Sequence, residues 1–271
     1  MTAAGPEPFE VASGGVSLSG EVAGEGPPVL LLHGLSATRR YVVHGSRTLE
    51  RSGRRVIAYD ARGHGESAPA GPPSAYTYDA LVADAVAVLD ALGVERALVA
   101  GQSMGSATAL GLALAHPERV ASLAIITPAH RGRPSPDLDR WDRLADALEN
   151  GGPEGFLEAV GPFADDRWRE VVSTVILQRM SRHRHPAAVA NALRGIPRTA
   201  AFDGMEALRE IAVPTLVVGS DDAADPDHPI AVAREYAGLI PGATLREDPP
   251  GGSPLAWRGS ALSTAILEVL G

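Results

Sequence analysis

Cysteine is absent from all 271 residues, which removes a disulfide framework, a thiolate nucleophile and a zinc ribbon together. A metal site would have to rest on His, Asp and Glu alone. Positive charge is also scarce, with 24 Lys and Arg against 33 Asp and Glu and a net charge of −9. Nucleic-acid affinity rests largely on cations neutralising phosphates, so this balance argues against a nucleic-acid partner. Long apolar runs are missing as well. The strongest, Val29 to Leu32, has the length of a strand and falls far short of the roughly 20 residues that cross a bilayer. The opening MTAAGPEPF has neither a basic region nor an apolar stretch of signal-peptide type, so no membrane partner and a cytoplasmic location are expected. Aromatic residues make up 4% of the chain, too few for a broad stacking platform under a flat cofactor. No G-x-G-x-x-G follows a strand where a dinucleotide would need it. Neither cofactor nor metal is expected, and a small-molecule substrate remains as the partner. A homodimer stays compatible with the sequence.

What is present is a rhythm of short apolar runs alternating with helical patterns. Strand candidates are Val29 to Leu32, Arg55 to Tyr59, Arg96 to Ala100, Val120 to Ile126, Thr215 to Gly219 and Ala243 to Arg246. Each is short and apolar, as strands buried on both faces should be. Between them, Tyr78 to Leu92 and Ser103 to Ala115 read as crossover helices. Phe9 to Gly24 alternates weakly and predicts an antiparallel hairpin on the sheet edge. The pattern indicates an α/β fold, with a mostly parallel central sheet flanked by helices. Between Ala129 and Ala201 the strand rhythm stops, and helical segments around Trp141 to Glu149 and Val171 to Arg182 replace it. The expected organisation is a core of residues 1–128 and 202–271 with a helical cap, 129–201, inserted.

The strongest chemical signal is Gly101-Gln102-Ser103-Met104-Gly105, a G-x-S-x-G lying between a predicted strand and a predicted helix. In a nucleophile elbow the serine occupies a strained turn with Oγ proud of the sheet, and its flanking positions must lack bulk. His33-Gly34-Leu35 follows the Val29 to Leu32 strand, where a backbone N–H can face that serine. Asp60-Ala61-Arg62-Gly63-His64-Gly65-Glu66-Ser67 follows the next strand, and Gly219-Ser220-Asp221-Asp222 ends a later one, four residues before Pro226. In order and spacing, from Val29 to Leu270, the chain resembles the α/β-hydrolase superfamily. The resemblance implies an α/β-hydrolase fold, with Ser103 as nucleophile, Asp222 as acid, and the backbone N–H groups of Leu35 and Met104 as oxyanion hole. Asp221 is a competing acid. The Asp60 to Ser67 motif is expected to shape a turn beside the site, His64 included.

One departure dominates. The superfamily's base histidine usually follows the last strand, and the matching position here, about thirteen residues beyond Ile240, holds Ser253. A serine hydroxyl cannot take up a proton near neutral pH, so Ser103 and Asp222 alone lack a base. Of the eight histidines, His33 and His64 belong to turn motifs, while His44 and His116 lie at a distance. His130, His183, His185 and His228 sit in loops or cap segments that could overhang the elbow. His228, six residues after Asp222 on the same loop, is the preferred base. His183 and His185 make a weak metal pair without nearby carboxylates. Trp141, Phe156, Phe163, Trp168 and Met180 are pocket-wall candidates or cap core, and an inward-pointing cap arginine would favour a carboxylate- or phosphate-bearing ligand. The function expected is a hydrolase of a small ester or related acyl substrate, with a non-standard or missing base. The alternative is a protein of this fold that binds a small ligand or performs non-hydrolytic chemistry.

Overall fold

In the computed structural model, residues 5–161, 166–221, 225, 227–248 and 259–271 are described. The expected edge hairpin forms from β1 (Glu7–Ser13) and β2 (Val16–Ala23), and β2 runs antiparallel to β4 (Arg55–Tyr59). Every other pairing is parallel. The eight-stranded sheet has the order β1-β2-β4-β3-β5-β6-β7-β8, with β3 at Pro28–Leu32, β5 at Ala97–Gln102, β6 at Val120–Ile126, β7 at Thr215–Gly219 and β8 at Thr244–Glu247. The chain leaves β3 toward β4 on one side and returns to β5 on the other, making their carboxyl ends a topological switch point where ligands bind in open α/β sheets.

Strand side chains alternate between two layers. Leu30, Leu32, Ile57, Val99, Leu123, Ile125 and Val217 face α2 (Tyr78–Ala91), α3 (Met104–Ala115) and α7 (Ile230–Leu239). Val29, Leu31, Val56, Leu98, Ala124, Ile126 and Leu216 face α1 (Thr48–Arg51) and α8 (Gly259–Leu270). Apolar residues at consecutive positions therefore serve two cores, which is why these strands show no polar alternation. Thr77 starts α2 by accepting a hydrogen bond from Ala80 N–H at 3.1 Å, an N-cap of ordinary kind.

Between β6 and β7 the described residues form no strand and three α-helices: α4 (Leu138–Val160), α5 (Arg169–Met180) and α6 (Pro186–Gly195). They share a core of Leu144, Leu148, Phe156, Ile176, Met180, Val189 and Leu193. Phe156 and Met180 are thus core residues of this layer, and Phe163 lies outside the described residues. The first helix outruns its expected limits because the chain kinks at Gly152 (φ 61°, ψ −153°) and re-enters a helix at Pro153, which suits a first-turn position. Among the described residues no helix is long and apolar enough to cross a membrane.

The tightest packing lies where α3 meets the sheet. A Cβ on Gly101 would stand 2.0 Å from the carbonyl oxygen of Gly105, and one on Gly105 would stand 2.1 Å from that of Leu32. Both contacts are with backbone, which no rotamer change relieves. Gly105→Ala should therefore destabilise the fold by at least about 2 kcal/mol, as overpacking does. Gly238→Ala, in α7 with open space around it, should be neutral or gain up to about 1 kcal/mol. Urea unfolding of the two variants checks the contrast, and equal effects would contradict it.

Candidate active site

The elbow expected at Ser103 is present. Its backbone has φ 52° and ψ −111°, a region that side-chain-bearing residues occupy at a cost. Two anchors hold it there: Ser103 N–H donates to Ile126 O at 3.0 Å, and Ser106 Oγ donates to Ser103 O at 2.6 Å. Gly34, from the turn after β3, passes so close that a Cβ on it would lie 3.4 Å from Ser103 Cβ. Next to it are Leu35 and Ser36, the latter at φ 61°. Met104 opens α3. Among the described residues, neither Leu35 N–H nor Met104 N–H donates a hydrogen bond, so both remain available beside the serine.

His228 reaches the elbow. Ser103 Oγ and His228 Nε2 are 2.7 Å apart, and His228 Nδ1 lies 2.7 and 2.8 Å from the two carboxylate oxygens of Asp225. Asp225 was not anticipated beside the imidazole. The spacing after Gly219 pointed to Asp222, which lies outside the described residues, while the carboxylate found against the imidazole stands three residues later. The local signal was Asp225-Pro226-Asp227-His228: an acid three residues before a histidine, in a loop that stops at the helix beginning after Pro229. Asp221 is exposed and lies in the field of Arg234. Ser253 also lies outside the described residues.

The remaining histidines are occupied elsewhere. His130 Nε2 accepts from Ala201 N–H at 3.1 Å, and its ring packs on Tyr78 and Phe202. His185 stands at the start of α6, and His116 is half-buried near Glu118. His183 bridges two core turns: its Nδ1 accepts from Gly65 N–H at 2.9 Å and its Nε2 donates to Ser36 O at 3.1 Å. No group of three or more potential metal ligands exists among the described residues.

The Asp60 to Ser67 motif builds a turn. Asp60 accepts from Arg39 N–H at 2.8 Å, from Glu66 N–H at 3.0 Å and from the Arg39 guanidinium. Arg62 grips Asp84 through two nitrogens, at 2.8 and 2.7 Å, a bidentate buried pair. Ser67 Oγ donates to Asp60 O at 2.6 Å.

Electrostatics separate His228 from its relatives. Burial works against its charge, but the Asp225 carboxylate, by charge and by hydrogen bond, outweighs burial and holds the imidazole pKa above 6.5. Asp225 is also penalised by burial, and the nearby His228 and Arg179 nevertheless keep it below the usual carboxylate value. His33, His64 and His183 form a buried row, with ring centroids 5.2 and 5.6 Å apart. Burial, the largest cause in each, lowers them from 6.5 to about 4, 3 and 4 respectively.

Comparison with known proteins agrees with this fold. The family model for the α/β hydrolase fold matches residues 27–259, and the chain belongs to that family. It is 33% identical over 260 residues to a protein of Azorhizobium caulinodans that carries the name carbamate hydrolase RutD as a provisional assignment, covering 94% of this chain and 92% of that one. Among solved structures, the enol-lactonase from Burkholderia xenovorans LB400 superposes with a TM-score of 0.78 at 27% identity, covering 97% of this chain and 99% of that one. A thermophilic esterase from Thermogutta terrifontis, solved with malate bound, gives 0.79 at 26%, covering 97% of both. Hydrolysis is what these names share, and it supports an enzyme of this family.

The buried histidine row makes a stability prediction. Each ring titrates near 6.5 in the unfolded chain and well below that when folded, so between about pH 6.5 and 4 the unfolded state binds more protons. Stability should be present above pH 6.5 and fall as the pH drops through that window. His64→Asn retains a donor for Arg62 O, which His64 Nδ1 contacts at 3.0 Å, and removes a buried Nε2 that has no partner. Its unfolding free energy, measured between pH 7 and 4.5, should vary less steeply by up to about 1.4 kcal/mol per pH unit. A slope equal to the wild type would contradict this account.

Proposed function

We propose that the chain is a serine hydrolase of a small ester or related acyl substrate, with Ser103 as nucleophile, His228 as general base and Asp225 as the acid that orients it. The observation that carries this reading is the 2.7 Å contact between Ser103 Oγ and His228 Nε2, continued through Nδ1 to Asp225. Asp225 takes the role that motif spacing gave to Asp222. It holds the Nδ1–H tautomer, leaving Nε2 free to accept the serine proton.

In the reaction, Ser103 Oγ attacks the acyl carbon as its proton passes to His228 Nε2. The carbonyl oxygen becomes an oxyanion against the N–H groups of Leu35 and Met104. When the bond to the leaving group breaks, the imidazolium returns the proton to that group. Water then repeats the sequence on the acyl-enzyme: His228 takes its proton, the acyl–Oγ bond breaks, and serine is regenerated. The helices of residues 129–201 act as a cap over this cleft. The substrates in the relatives' names, a carbamate, an enol-lactone and an ester, all present a carbonyl bonded to oxygen or nitrogen, which suits this chemistry.

Hydrolysis of 4-nitrophenyl butyrate tests the reading. Ser103→Ala and His228→Gln should each lower kcat by about 10⁴-fold or more, and Asp225→Asn by about 10³-fold or more. Asp222→Asn should remain within about tenfold of wild type. The profile of kcat/KM against pH should fall on the acid side with an apparent pKa above 6.5, because His228 must be neutral to accept a proton and Asp225 raises its pKa. No turnover, together with no labelling of Ser103 by a fluorophosphonate, would favour the non-hydrolytic alternative. A profile flat down to pH 5.5 would remove His228 from the role of base.

A further inference from the structure

Two buried imidazoles span the same pair of turns. His33, directly after β3, donates from Nδ1 to Gly34 O at 2.8 Å and accepts Ala61 N–H at Nε2, also at 2.8 Å. His183, in the link between α5 and α6, donates from Nε2 to Ser36 O at 3.1 Å and accepts Gly65 N–H at Nδ1 at 2.9 Å. Each ring thus takes a backbone N–H from the Asp60 to Ser67 motif and gives its own proton to a carbonyl of the turn that carries Leu35. The first ring belongs to the core and neighbours the turn in sequence. The second is brought from the cap, 147 residues further along. Arg184 N–H next to it donates to Gly65 O at 2.8 Å, so the cap link engages both polar groups of Gly65.

The turn is one that needs holding. Ala37 N–H donates to Gly34 O at 3.0 Å, which closes four residues with Leu35 and Ser36 at their centre, and Ser36 stands at φ 61°. A positive φ at the third position is the type II pattern, which glycine ordinarily supplies and which a residue with a side chain adopts at a cost. Gly34 is fixed by its close approach to Ser103, but Ser36 lies beyond that contact. The bond from His183 falls on the carbonyl of the strained residue itself, one residue from the Leu35 N–H that faces the developing oxyanion. A preorganised donor loses much of its value when its direction drifts.

We infer that His183 is a positioning residue for the oxyanion hole: an imidazole of the cap that clamps the Leu35–Ser36 turn in place over Ser103, so that the helical layer completes the catalytic site as well as covering it. The inference rests on the serine-hydrolase reading for its effect on the reaction, though not for the clamp. Nothing but an imidazole or an amide offers an acceptor and a donor at this spacing, which accounts for a buried histidine at a place where an apolar side chain would pack at lower cost.

The test separates the two bonds of the ring. An asparagine amide reaches as far as Nδ1 and a glutamine amide as far as Nε2, so His183→Asn keeps the acceptor for Gly65 N–H and loses the donor to Ser36 O, while His183→Gln keeps that donor. Per active site titrated with a fluorophosphonate, His183→Asn should hydrolyse 4-nitrophenyl butyrate with kcat at least about tenfold below wild type and KM within about threefold, and His183→Gln should bring kcat back to within about threefold. Asn191→Ala, which removes a cap-to-core bond elsewhere, from Nδ2 to Gly71 O at 3.0 Å, should leave both constants unchanged. Equal kcat in the Asn and Gln variants, or a loss in Asn191→Ala as large as in His183→Asn, overturns the proposal, because a histidine that only steadies the fold has no preference for the Ser36 bond. A second arm needs no turnover. Amide exchange at Ala37, followed by NMR, should quicken at least about tenfold in His183→Asn and stay near wild type in His183→Gln and Asn191→Ala. Unchanged Ala37 exchange in His183→Asn overturns the clamp even if the ester is hydrolysed. Faster exchange in that variant alone, with no turnover by the wild type, sustains the clamp and removes the hydrolase reading instead.

Discussion

The backbone of α3 is pressed against the carbonyl of Leu32, and the rest of the site follows from that contact. Gly105 permits the approach, Gly101 permits the turn that leads to it, and the serine between them has no choice but a positive φ. The turn is paid for by Ile126 O and by the full-length pairing of β5 with β3 and β6. Once the serine is fixed, the turn after β3 must pass over it, because β3 and β5 are adjacent in register. The same adjacency brings the free N–H groups of Leu35 and Met104 to one side of Oγ. The proposed nucleophile and oxyanion donors are therefore consequences of a single packing constraint, not separately placed parts.

The proposed base follows a different logic. In the superfamily pattern, acid and base come from loops after two different strands. Here His228 and the carboxylate that contacts it, Asp225, share the loop between β7 and α7, three residues apart. The order along the chain is still serine, acid, histidine, as in other members of this fold. What changes is the span over which the geometry must be maintained. A backbone contact from Asp225 O to His228 N–H, 3.3 Å long, helps to set the separation of the two side chains, and Arg140 from α4 anchors Asp227 between them. Short-range structure thus does what long-range loop placement otherwise must.

Much of this was legible in the residues. Three strands, Arg55 to Tyr59, Val120 to Ile126 and Thr215 to Gly219, have the bounds their apolar runs suggest, because burial on both faces leaves a run with sharp polar ends. The elbow was legible because its glycines report a backbone contact directly. By contrast, α6 went unread: it is ten residues long and follows a basic HRH stretch that looks like surface. The length of α4 was hidden by Gly151-Gly152-Pro153, which reads as a stop although the chain kinks and continues. Asp225 was missed because spacing along a loop does not determine which of several carboxylates meets a ring. His183 is held by Gly65 and Ser36, at separations of 118 and 147 residues, and no local pattern encodes such partners.

Counting histidines near the elbow does not single out a candidate base, whereas asking what each ring nitrogen already does can. His33 gives Nδ1 to Gly34 O and takes Ala61 N–H at Nε2, and His183 is similarly filled by Gly65 and Ser36. Each of these rings is locked in one neutral tautomer by backbone partners that cannot accept or offer a second proton. His64 has a spare Nε2 but no carboxylate to stabilise a cation, and burial drives its pKa to about 3. A general base needs the reverse arrangement: one nitrogen fixed by an acid that stabilises the charged form, and the other facing the proton donor. Among the described histidines, His228 alone meets both conditions, with Asp225 at Nδ1 and Ser103 at Nε2. Burial, which silences the other rings, opposes the charge on this one too, but here the carboxylate beside it outweighs the penalty.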